Sequence, residues 1–219
     1  FARFRLSSAR SLNFTGAASD GEVEDYQVNI SQSLDYGDAP EPYPTLLAVN
    51  GARHTYSSDI YLGFRVDTEP DSQPEASALG DDLNGPDEDG VTFTSPLIPG
   101  VLATVQVRAS VTGFLTAWID FDGNGTWVEA NERIFNGLVI SGGVNNLSFT
   151  VPATARKGIT FARFRFTTQT SILDFTGQGP VGEVEDYRVS IITDRERCDL
   201  DCEGREYWLT FPGNYAPDS

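Results

Sequence analysis

One segment of the chain occurs twice, and this constrains the fold more than anything else in the sequence. FARFRLSSARSLNFTGAASDGEVEDYQVNI, at 1–30, returns as FARFRFTTQTSILDFTGQGPVGEVEDYRVSI at 161–191, with one extra residue absorbed in the loop between FARFR and GEVEDY. A repeat this dense marks a tandem architecture. It divides the chain into 1–30, the last strands of a preceding repeat, and 31–192, one complete repeat. Residues 193–219 then form a linker and the first strand of a following module. Two strands cannot bury a face alone, so 1–30 needs a partner, in tandem on the same polypeptide or by strand donation between molecules.

Within 31–192 the apolar residues alternate. IYLGFRV (60–66), GVTFTS (90–95), TVQVRAS (104–110), FLTAWIDF (114–121), RIFNGLVIS (133–141), NLSFTVP (146–152), TFARFRF (160–166) and EDYRVSII (185–192) read as strands. Gly, Pro and Asn separate nearly all of them, and no helical stripe of useful length interrupts. The expected fold is all-β, an antiparallel β-sandwich of Ig-like or jelly-roll type with calcium-type acidic loops. On FARFRF, Ala162, Phe164 and Phe166 share the core face and Arg163 and Arg165 the other. On the later strand Tyr187, Val189 and Ile191 face the core, and Asp186 and Arg188 face outward. Arg163 or Arg165 then pairs with Asp186 as a surface ion pair worth about 0.2–1 kcal/mol. Glu183 and Glu185 share the parity of the core residues, so each requires a metal, an Arg or a backbone amide.

Charge narrows the partners. Thirty-two acidic residues face 15 basic ones, a net charge of −17, and Lys157 is the only lysine. Such a surface repels nucleic acid and anionic lipid and suits divalent cations. No apolar run is long enough for membrane insertion. Cys198 and Cys202 could close a small disulfide loop, which would require an oxidising compartment. Motifs for a serine nucleophile, a zinc protease or a nucleotide are absent, and His54, the only histidine, reads as structural.

The sharpest local signal is DFDGNGTWVEANE, 120–132. Asp120, Asp122 and Asn124 alternate and Gly125 follows at the sixth position, so that short oxygen-bearing side chains can curl around one Ca²⁺ with the Thr126 carbonyl. The twelfth position is Asn131, so an EF-hand is excluded, and Glu132 is left to close the shell. The competing reading is a plain Asp/Asn/Gly turn. A second concentration, from Asp67 to Asp89, holds nine carboxylates and no Lys or Arg. Within it Asp81, Asp82, Asp87 and Asp89 are candidate metal ligands, as are Glu183 and Glu185 further on.

GEVEDY, with DYGDAP (35–40), GARH (51–54), GDD…DEDGV (80–91) and WIDFDGNGTW (118–127), resembles the GEVED-type domain of large bacterial secreted and cell-surface repeat proteins. The resemblance spans about 35–191. It implies an extracellular location on a bacterial surface and a structural or adhesive role in a multidomain protein or fibre, without catalysis. Its recurring acidic positions fall here on Asp81, Asp82, Asp87, Asp89, Asp120, Asp122, Asn124, Glu132, Glu183, Glu185 and Asp186. Expected partners are neighbouring repeats and a surface glycan or protein receptor. The alternative is a carbohydrate-binding module of a secreted enzyme, with Tyr43, Tyr56, Tyr61 and Trp127 as an aromatic platform.

Overall fold

A computed structural model describes residues 1–28, 33–80, 89–170 and 173–193. The chain forms two compact units, Phe1–Gln32 and a second beginning at Ser33. Every described strand lies in an antiparallel pairing or next to one, and the architecture is all-β.

The first unit is a hairpin of β1 (Ala2–Leu6) and β2 (Glu22–Tyr26), with Arg3 opposite Asp25 and Phe4 opposite Glu24. Its apolar side chains, including Phe4, Leu6 and Val23, are exposed.

The second unit holds β3 (Leu34–Tyr36), β4 (Arg53–Thr55), β5 (Val91–Phe93), β6 (Leu102–Ala109), β7 (Gly113–Ile119), β8 (Arg133–Ile140), β9 (Gly143–Thr150), β10 (Gly158–Thr167) and β11 (Gln178–Ile191). A six-stranded sheet runs in the order β3-β4-β11-β10-β7-β8, and a three-stranded sheet in the order β5-β6-β9. All ladders are antiparallel except that of β4 with β11, which is parallel. Alternation explains the core: Leu115, Ala117 and Ile119 of β7, with Ala162, Phe164 and Phe166 of β10, meet Ala103, Val105 and Val107 of β6 in one buried cluster. Each of the Val, Leu, Ile and Phe side chains among them contributes about 1.5–3 kcal/mol.

Seven of the eight expected strands form, with ends displaced by a few residues. The exception is 60–66, which makes a single bridge, Leu62 to Ala109, and then turns at Gly63. There Asp89 takes the space a side chain at Gly63 would need, and its Oδ1 accepts the Phe64 N–H. The sequence reading did not include β3 and β4, three residues each.

The larger correction concerns the outward face of β10. Arg163, Arg165 and Asp186 are fully buried instead of lying on the surface. A layer built from 36–56 and 173–177 covers that face, and its Ala39, Tyr43 and Leu173 pack with Trp118 of β7, Phe161 of β10 and Trp127 of the 120–132 loop in a second buried cluster. Arg163 and Asp186 stand opposite each other in register and form a two-pronged ion pair at 2.8 and 2.6 Å. The other terminal nitrogen of Arg163 donates to the carbonyls of Pro44 and Phe175, and the guanidinium lies 4.5 Å from the Trp127 ring. Asp186 also accepts the Ala39 N–H. At Gly37 an added Cβ would sit 2.4 Å from Asp186 Oδ2, so only glycine lets the chain pass.

Arg165 is held differently. It donates to four backbone carbonyls, those of Arg53, Asp174, Thr176 and Gly177, and through Nε to His54 Nε2 at 3.1 Å. Because an arginine can only donate, His54 Nε2 must accept, and Nδ1 carries the proton given to the Pro180 carbonyl at 2.8 Å. Burial and the Arg165 charge hold the imidazole pKa well below its usual range. His54 is therefore a neutral structural group, with neither nitrogen free for catalysis.

Candidate metal centre

Strand β7 ends at Ile119 and β8 begins at Arg133. The loop between them is pinched at its base, where the Ile119 N–H donates to the Glu132 carbonyl at 2.9 Å. This hairpin register, and not the count of positions along a calcium loop, brings Glu132 beside Asp120. One carboxylate oxygen from each of Asp120, Asp122 and Glu132 lies within 4.8 Å of the others, and Asp120 and Glu132 are fully buried.

The loop curls because Asp120 gathers its amides. Its Oδ1 accepts from Gly123 and Asn124 at 2.6 and 3.3 Å, and its Oδ2 from Gly125 at 2.9 Å. Gly123 and Gly125 adopt φ of 69° and 85°, the left-handed region that the tight curl demands. Asp122 Oδ1 accepts the Asn124 N–H at 3.0 Å. Two anchors hold the loop from outside: the Tyr43 hydroxyl donates to Asp120 Oδ2 at 2.6 Å, and Thr160 Oγ1 donates to the Asp120 carbonyl at 2.7 Å. Glu132 accepts the Phe121 N–H at 3.1 Å.

The electrostatics are those of crowded anions. Burial first, then the hydrogen bond to Glu129 and the charges of Asp120 and Glu129, push the Glu132 carboxyl up to about 8. Burial and the same two charges also raise Asp122, against the Asn124 amide. Arg156 approaches, but it donates to the Asp122 carbonyl and not to a carboxylate. Such a site holds either a proton or a cation, and an all-oxygen donor set selects a hard one.

The other candidates fall elsewhere. Asn124 is engaged within the loop: its Oδ1 accepts the Thr126 N–H at 2.9 Å, and its Nδ2 donates to Asp122 and Glu129. Glu183 and Glu185 are buried, and backbone amides meet both. Glu183 accepts from Leu62 N–H, and Glu185 accepts from Gly90 N–H at 2.9 Å. Neither they nor Asp89 belong to the three-carboxylate group. Asp81, Asp82 and Asp87, like Cys198 and Cys202, lie outside the described residues. Of the proposed aromatic platform, Tyr43 and Trp127 are buried, their rings 4.5 Å apart, and neither can present a face to a sugar.

Two residues of the site were not anticipated. Glu129 carries a buried oxygen, Oε2, with no hydrogen-bond partner, and its carboxylate borders Glu132. It sits three residues before Glu132, and an Asp- and Glu-counting rule could have found it. Tyr43 is 77 residues from Asp120, and no local signal points to it.

A comparison with curated proteins finds no match to the chain. Residues 114–190, from β7 to the end region of β11, match the GEVED domain family and include Asp120, Asp122, Glu132, Arg163 and the second GEVED sequence itself. Residues 114–190 thus carry a GEVED domain, of a family typical of bacterial extracellular and cell-surface proteins.

Proposed function

We propose that the unit beginning at Ser33 is a structural or adhesive β-sandwich repeat of an extracellular surface protein or fibre, stiffened by one Ca²⁺ in the 120–132 loop. The observation that carries the reading is the convergence of Asp120, Asp122 and Glu132 oxygens within 4.8 Å, at a position where, among the described residues, the approaching Arg156 donates to a carbonyl and not to these carboxylates. The loop curl is already formed by backbone amides, so little ordering cost opposes binding. Glu129 is a candidate fourth ligand, and the carbonyl of Thr126 a fifth. The ion would tie the end of β7 to the start of β8 and leave the acidic exterior to face neighbouring repeats or a receptor.

Melting in excess EDTA against millimolar calcium tests this. Binding to the folded form alone stabilises by about 2.7 kcal/mol when free calcium is 100 times Kd. Wild type should melt higher in calcium, and Asp122→Ala should lose the increment. Superimposable curves for wild type in both buffers would remove calcium from the reading.

A further inference from the structure

The hairpin β1–β2 is a copy of β10–β11 without its surroundings, and the two can be compared contact by contact. Arg3 and Asp25 form the same two-pronged pair as Arg163 and Asp186, at 2.6 and 2.6 Å. Arg3 donates to the Phe14 carbonyl as Arg163 does to that of Phe175. Arg5 donates to the carbonyls of Asn13, Thr15 and Gly16, the counterparts of Asp174, Thr176 and Gly177 around Arg165. The hairpin therefore keeps the whole local lattice that its own residues can supply.

What it lacks is equally specific. In the second unit, Arg165 Nε donates to His54 Nε2, its NH2 donates to the Arg53 carbonyl, and Arg163 donates to the Pro44 carbonyl. The counterpart Arg5 Nε is buried and has no hydrogen-bond partner. Phe164 and Phe166 are 0% exposed, whereas their counterparts Phe4 and Leu6 are 62% and 73% exposed. All the missing groups in the second unit come from residues 33–157.

We infer that the hairpin Ala2–Tyr26 is a docking surface for a polypeptide of the 33–157 sequence type that lacks its own closing hairpin. Such a partner brings an imidazole for Arg5 Nε and carbonyls for Arg5 and Arg3. It also brings a β4-like edge beside β2, a β7-like edge beside β1 and an apolar sheet over Phe4 and Leu6. A second intact copy of this chain is a poor occupant. Its corresponding place is filled by β10–β11, which is covalently attached and so competes at high effective concentration.

The test places a copy of residues 33–160 directly before Phe1, which restores the register of the repeat, and compares this extended chain with the 219-residue chain by amide hydrogen exchange. In the 219-residue chain, amides of β1 and β2 should exchange quickly. In the extended chain they should slow by about 100-fold or more, toward the rates of β10 and β11. Phe4→Asp in the extended chain should return β1 and β2 to fast exchange and leave β10 and β11 protected. Fast exchange of β1 and β2 in the extended chain would overturn the inference. Equal protection of β1–β2 and β10–β11 in the 219-residue chain would also overturn it, because the face would then be covered by something else.

Discussion

Replacing Asp186 by Asn removes one charge from a fully enclosed ion pair and leaves the shape of the site nearly unchanged. Arg163 and Asp186 are both 0% exposed, and the guanidinium would keep two carbonyls, the Trp127 face and one neutral bond to the Asn oxygen, while the Asn NH2 would face a guanidinium donor in place of the second carboxylate oxygen. Breaking one side of a buried pair costs about 3–5 kcal/mol, because the surviving charge stays out of water. At about 2–4 °C per kcal/mol for a domain of this size, Asp186→Asn should melt roughly 6–20 °C below the parent. The loss should not change between low salt and 0.5 M NaCl, since enclosed charges are weakly screened. The chain supplies its own control. Asp25→Asn removes the same charge from the same geometry, but there the pair is 44% and 49% exposed, and thermal unfolding of the second unit should be unchanged. Scanning calorimetry on the three proteins decides the matter. An Asp186→Asn variant melting within about 2 °C of the parent would refute the reasoning, as would equal shifts for both variants.

Arg165→Lys should destabilise by about 3 kcal/mol or more, because three donors on a flexible stem cannot meet four carbonyls and one imidazole; chemical denaturation would measure it. His54 binds its proton more weakly folded than unfolded, so stability is held above the unfolded pKa near 6.5 and falls as pH drops below it. Glu132, raised to about 8 in the fold, contributes in the opposite sense to the parent and to His54→Gln alike. The His54 part is therefore read as the difference in slope between these two proteins in urea titrations between pH 7 and 5.5, and it should approach one proton, about 1.4 kcal/mol per pH unit. Gly37→Ala should cost about 1–3 kcal/mol through the clash with Asp186 Oδ2 and Val184 Cγ1. Gly123→Ala meets no atom within 4 Å and should cost only the left-handed backbone penalty of about 1 kcal/mol, a contrast that paired melting curves would reveal.

Alternation carried most of the fold. It gave the core faces of β10 and β11 correctly, and the repeat identified β1–β2 as a partial copy. Alternation could not show that the other face of the sheet is also covered. The covering layer has almost no periodic structure of its own: it is the irregular chain of 36–56 with 173–177, whose contacts reach across more than a hundred residues. A polar face was therefore read as a wet one. Arg163 and Arg165 look like surface residues until carbonyls from that layer are found around them. The three-carboxylate cluster was legible where its logic was local, at Asp120 and Asp122. Glu132 was found by sequence proximity, although its true reason is the pinch between Ile119 and Glu132. Tyr43 was invisible because nothing in a short window relates it to Asp120.

The strand order β3-β4-β11-β10-β7-β8 has a consequence for how such a chain comes into being. The last two strands of this sheet to be made occupy its middle, so β4 and β7, which never pair with each other, are joined only through β10 and β11. A polypeptide emerging N-terminus first can assemble the local pairs β3–β4 and β7–β8 early, but the two halves stay apart. Only when residues 158–191 are released does the wedge enter, bringing Arg163 and Arg165 under the covering layer in the same event. Joining such distant segments is slow, because the closure entropy of the intervening chain must be met before any long-range contact compensates it. The second unit therefore stays pliable during its synthesis and becomes rigid only as its last strands are released.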